Sequence, residues 1–284
     1  MNWLVEPFAM GFMRRALAGC IALSVAGPPL GVFLVLRRLS LSADVLQHGI
    51  LPGVAIGAAI GGATLWVMGL GGFFAGLLVA LLGGALARAT AGREDSQLAG
   101  VYLIALALGV AINSQTRGVD LPQVRFGSVL GVTDEALCLM AGVASVALIG
   151  LAVIWRPLVL ESFDPLFLRA LGGHGAWWHL GFMALVVLCV VGGFSALGTL
   201  MSLGLIILPA VAARHWAAEL AGQIRASVAL ALAASWLGLM LAYHVDLPAG
   251  PAIVLTAGGL WVASLLAGSR DSLRARLRRP HFSG

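Results

Sequence analysis

The chain has no lysine; all 17 of its basic residues are arginine. A Walker A loop needs its lysine on the nucleotide phosphates, so the sequence holds no such loop. If ATP drives anything here, another chain binds it. Charge of either sign is scarce, at 10% of 284 residues, against about 25% in soluble domains. The three cysteines, Cys20, Cys138 and Cys189, stand far apart in apolar runs with no CxxC spacing. They read as small buried hydrophobes. No cleavable leader is expected, because the first apolar run continues to full spanning length without a small-residue cleavage pattern.

What the chain does have is apolar length. It is 60% hydrophobic with 38 glycines, and its mean hydropathy is +1.00. That composition defines an integral membrane protein, with glycine suited to close helix packing in lipid. Apolar stretches of roughly 18 to 25 residues recur, the length a helix needs to cross a bilayer. Membrane-barrel strands would alternate and run about ten residues, which these do not. The expectation is an all-α polytopic transmembrane helix bundle forming a single permease-like domain over 1–284. Spans are placed near 16–36, 46–67, 72–90, 97–115, 135–155, 177–196, 198–214, 224–244 and 251–267. Gly198 and Pro209 make the 198–214 segment short or broken, so the count is nine, or eight without it.

Arginine sets the orientation. With a cytoplasmic C-terminus, 13 arginines face the cytoplasm, and only Arg14, Arg15, Arg117 and Arg125 face out. The tail 268–284, containing "SRDSLRARLRRP", reads as a basic lipid-surface segment rather than a nucleic-acid site. His174 and His179 flank two tryptophans in an aromatic belt, His215 sits at the cytoplasmic edge, and "DLPAGP" after His244 reads as a turn. The outer loop 116–135, with Asp120, Asp134 and Glu135, is a natural docking surface.

One stretch carries chemistry: "RRLSLSADVLQHGILPG". Asp44 and His48, at i and i+4, share a helix face, with Ser40 or Ser42 as a candidate helix cap. Asp44 lies about 10 Å beyond Arg37 and Arg38 at 1.5 Å per residue. A carboxylate there is expensive and faces a pore or a partner. Carboxylate oxygen with imidazole nitrogen suits Zn²⁺, Mn²⁺ or Fe²⁺. The spacing alone leaves a local Asp–His ion pair equally open. Two ligands hold an ion loosely, as transport requires, and a two-fold dimer would supply four. Pro209, inside an apolar helix, frees a backbone carbonyl and reads as a kink or hinge on the pathway.

"FLVLRRLSLSADVLQHGILPGVAIG" resembles the permease subunits of metal-ion ABC importers, the zinc/manganese/iron family of ABC-3 type. It matches through Arg37, Arg38, Asp44, Leu46, His48, Leu51, Pro52, Gly53, Val54 and Ala55. It departs at Gln47 and Gly49, where small residues are usual; Gln47 is expected to face elsewhere than Asp44. "GTLMSLGLIILPAVAARHWA" and "YHVDLPAGPAIVL" are similar to two further family segments, and the resemblance covers almost the whole chain. "LESFDPLFLRALGGHG" is similar, through Phe163, Asp164 and Gly172, to a cytoplasmic element that forms the coupling helix of type II importers. That resemblance implies a segment over 160–175 docking on the ATPase, with Phe163, Leu166, Phe167 and Leu171 as knobs. It also implies a homodimer in the cytoplasmic (inner) membrane, a separate ABC ATPase subunit and an extracytoplasmic metal-binding protein. The chain itself would be no enzyme and hold no permanent cofactor, only a transported divalent metal, zinc, manganese or iron. Rival readings are a type II importer of a chelate such as a siderophore or corrinoid, and a secondary carrier or channel. The latter would be expected to show inverted repeats and more buried charge.

Overall fold

The computed structural model describes residues 6–62, 64–90, 94–116, 131–170, 175–270 and 272. A short 3-10 turn, Glu6–Ala9, leads into α1, Gly11–Leu36. The second span is two helices, α2, Ser40–Gly49, and α3, Leu51–Gly61. Next come α4, Leu65–Thr90, α5, Glu94–Thr116, and α6, Asp134–Phe163. The single-turn α7 is Pro165–Ala170. The bundle finishes with α8, Gly175–Leu197, α9, Thr199–Ala213, α10, Leu220–Val245, and α11, Ala249–Ala267. No strand occurs among the described residues. The all-α reading therefore holds, because a backbone in lipid must satisfy its own hydrogen bonds and helices do so internally.

Among the described residues eight spans are long and apolar enough to cross a membrane, with α2 and α3 together forming one of them. The ninth apolar segment, α9, is a helix of 15 residues. At 1.5 Å per residue it is about 22 Å long, short of a ~30 Å hydrocarbon core. It starts at Gly198, whose φ of 92° lets the chain turn back directly from α8. Its far end reaches the same end of the bundle as the end of α1, since Val32 and Val35 pack with Ala210.

The expected 46–67 span is displaced. Its helix begins at Ser40 and stops at Gly61, where Gly62 takes a φ of 64°. Neither Ser40 nor Ser42 caps it: the residue ahead of the helix is Leu39, with no side-chain cap bond. Pro52 near the start of α3 has no N–H to offer the preceding turn, so the ladder breaks at Ile50. Arg38, with φ 60°, makes the tight corner between α1 and α2.

Close approach holds the pairs together. A Cβ on Gly53 would strike the Gly71 carbonyl, and a Cβ on Gly71 would strike the Gly53 carbonyl. Glycine at both positions lets α3 and α4 touch backbone to backbone, the small-residue packing that lipid-embedded helices use. Between α1 and α10, the buried Ser24 and Ser235 hydroxyls share a hydrogen bond of 2.9 Å. The core runs through α1, α8 and α9, where Phe33, Phe182, Leu197 and Leu205 are fully buried.

The two ends of the bundle pair their own loops. Arg15 lies 3.6 Å from Asp134 at one end. At the other, Arg270 N–H donates to the His215 carbonyl at 2.9 Å, and Trp216 Nε1 donates to Ser264 Oγ at 2.9 Å. Asp246 closes α10 in the left-handed region with φ 55°, which aspartate tolerates better than most residues. The expected turn at "DLPAGP" is therefore present.

Candidate metal-translocation site

Asp44 and His48 both sit on α2. The His48 Nε2 to Asp44 Oδ1 distance is 3.9 Å, too long for a hydrogen bond. Two ligands of one ion, each about 2.1 Å from it, stand up to ~4.2 Å apart. At 3.9 Å the pair lies within ion-pair range without a closed hydrogen bond; a tetrahedral or octahedral ion bound by both needs them about 3.0–3.4 Å apart, which a small side-chain turn supplies. The imidazole is 35% exposed and the carboxylate 54%. The His48 ring lies 6.2 Å from that of Tyr102 on α5, centroid to centroid.

Both residues line a cavity of about 540 Å³ between α2 and α9, closed on one side by Val254 of α11. Leu41, Leu200, Leu203, Ile207 and Leu208 form most of its wall, and Ser40 and Thr199 add hydroxyls. A carboxylate and an imidazole thus stand on an otherwise greasy surface. Gln47 lines the same cavity, which corrects the expectation that it faces elsewhere. On a 100° per residue wheel, position 47 lies only about 60° from position 44.

Pro209 is buried and is not part of the cavity wall. Its helix packs closely on α1, where a Cβ on Gly31 would strike the Ile206 carbonyl.

At the end of α6 the chain turns at Asp164, whose Oδ1 accepts the Phe167 N–H at 2.9 Å. That capping bond starts α7. Phe163 is 64% exposed, Leu166 72% and Phe167 50%, while Leu168 is buried. One anchor therefore holds the turn down while three large apolar side chains point away. Gly172, Leu171 and His174 lie outside the described residues, as does Asp120 of the loop 116–135.

A buried polar cluster ties this turn to α1. Arg37 follows the last residue of α1. Its guanidinium donates to Glu161 Oε2 at 2.6 Å and to Ser162 Oγ at 3.0 Å. It also lies 3.0 Å from His179 Nδ1 and stacks 5.2 Å from the Phe182 ring centroid. Arg37 is 8% exposed and Glu161 16%. In the sequence Arg37 stands at the predicted edge of its span, whereas Glu161 lies past the predicted end of the 135–155 span.

Broken and shortened helices around a largely apolar cleft that holds a carboxylate and an imidazole, with a turn of exposed apolar side chains at one end, define a polytopic membrane permease. The match to the ABC 3 transport family runs over residues 9–268, and the chain belongs to that family. It is 30% identical over 271 residues to the manganese import system permease protein ScaB of Streptococcus gordonii, covering 92% of this chain and 95% of that one. It is 26% identical over 276 residues to the chelated iron transport system membrane protein YfeD of Yersinia pestis, covering 97% and 92%. Its fold matches the solved structure of PsaBC from Streptococcus pneumoniae in complex with Fab with a TM-score of 0.84. That match has 27% identity and covers 97% of this chain and 99% of that one.

Proposed function

We propose that two copies of this chain form the membrane pathway of an ATP-driven importer for a divalent transition-metal cation, manganese or iron(II). Zinc also lies within the chemistry of an Asp–His pair. The observation that carries the reading is the Asp44–His48 pair, a carboxylate and an imidazole on one helix face in a largely apolar cavity. The name of the manganese relative supports the cargo.

A second copy accounts for the open face. Asp44 is 54% exposed beside Leu41 at 72% and Leu200 at 46%. A carboxylate among such leucines does not stay against acyl chains. A two-fold partner would cover the leucines and bring four ligands to one axis. ATP is hydrolysed on a separate ATPase subunit that docks on Phe163, Leu166 and Phe167, with the C-terminus on the same, cytoplasmic side. An extracytoplasmic binding protein delivers the ion to the opposite mouth. The permease performs no covalent chemistry; its contribution is a weak, switchable binding site, from which the ion leaves as readily as it enters.

The test is uptake of Mn²⁺ into liposomes containing the reconstituted importer. Asp44→Asn and His48→Ala abolish uptake while leaving assembly and basal ATP hydrolysis intact. Normal uptake in both variants removes the proposed site. Uptake of an iron chelate in place of the free ion would support the chelate reading instead.

A further inference from the structure

Gln47 is buried, at 4% exposure, yet its Oε1 has no hydrogen-bond partner. A buried acceptor left unmade costs about 1–3 kcal/mol, so a fold retains one where something else meets that oxygen. Gln47 shares the cavity with Asp44 and His48. The three positions fall within an arc of about 100° on one helix face, with neighbouring Cβ atoms about 5–6 Å apart. Asp44 and His48 bring a carboxylate oxygen and an imidazole nitrogen to the cavity; the Gln47 oxygen is itself closed off from it, and a half-turn of the amide brings it to the same side, where all three can donate a lone pair. A hydrogen-bond donor would satisfy the amide alone, whereas a cation satisfies all three.

We infer that the Gln47 amide oxygen is a third donor to the transported ion, and that it biases the site toward hard dications. The inference rests on the metal-import reading above. Neutral carbonyl oxygens suit Mn²⁺, while imidazole and thiolate favour Zn²⁺. Adding an amide oxygen to one carboxylate and one imidazole makes the set oxygen-rich. A second copy across the axis would contribute the same three donors, enough for the six-coordinate oxygen-rich geometry that Mn²⁺ accepts. Turning the amide about its last torsion moves the oxygen without moving the backbone, so the donor can engage and release with the ion.

The experiment compares Mn²⁺ and Zn²⁺ uptake by the reconstituted importer, each as an apparent KM, in the wild type and in Gln47→Met and Gln47→Asn. Methionine fills the same space without the oxygen; asparagine keeps the amide but draws it back by one carbon. In both variants the KM for Mn²⁺ rises about tenfold or more, the scale of losing one supporting group at a metal site, and the KM for Zn²⁺ changes less. The ratio of the two KM values does not depend on how much protein folds, so loss of packing alone leaves it at the wild-type value. An unchanged ratio in both variants overturns the inference, even where Asp44→Asn still abolishes uptake and the import reading stands. Should Asp44→Asn import normally, the import reading itself fails, whatever Gln47 does.

Discussion

Replacing Arg37 with methionine strips the cation from a nearly closed polar cluster. The Glu161 carboxylate, only 16% exposed, loses its 2.6 Å donor, and Ser162 and His179 lose theirs. Leaving one member of a buried ion pair uncompensated costs about 3–5 kcal/mol. The pair's net value against an apolar replacement is far smaller, because both charges had to be desolvated to form it. The double variant Arg37→Met, Glu161→Gln is therefore expected to recover most of the loss, since a neutral amide is far cheaper to bury without a cation than a carboxylate. Thermal unfolding of the purified protein in detergent, followed by tryptophan fluorescence, orders the three proteins. Wild type melts highest, the double variant a little lower, and Arg37→Met well below both. A double variant that melts no higher than Arg37→Met would refute the reasoning, since the loss would then not lie in the stranded carboxylate.

Further expectations follow from the packing and the docking turn. Gly53→Ala pushes a methyl into the Gly71 carbonyl, and overpacking of this kind costs about 1–3 kcal/mol, read as a lower melting temperature. Phe163→Ala with Leu166→Ala removes two exposed apolar side chains; the ATPase subunit is then recovered below normal stoichiometry after detergent purification, and normal recovery would displace the docking site. Asp164→Ala removes the bond that starts α7, worth about 1 kcal/mol for a helix cap. It weakens the same association without lowering the melting temperature of the isolated permease by more than a few degrees.

Much of the architecture was legible because lipid leaves a chain few choices. Long apolar runs had to become helices, and the choice between nine spans and eight falls to eight because α9 stops short, at the segment that Gly198 and Pro209 marked. Asp44 and His48 were visible because charge is rare here and i, i+4 spacing fixes a shared face. Gln47 was misplaced although the helical wheel sets it only about 60° from Asp44, close enough for both to line one cavity. The break at Ile50 had a signal in Pro52, which also suits the first turn of an unbroken helix. The Arg37 cluster joins residues 124 and 142 positions apart. Nothing local announces such a pairing.

The break at Ile50 turns the second span into two levers. The outer lever, α3, is locked against α4 by the paired glycines and acts as a fixed rail. The inner lever, α2, hangs from the corner at Arg38, next to the arginine that grips the end of α6 just ahead of the docking turn. Asp44, Gln47 and His48 all ride on that inner lever. In the proposed importer, a pull by the ATPase subunit on the turn after α6 would swing these three side chains as a unit, changing access to them while keeping their spacing.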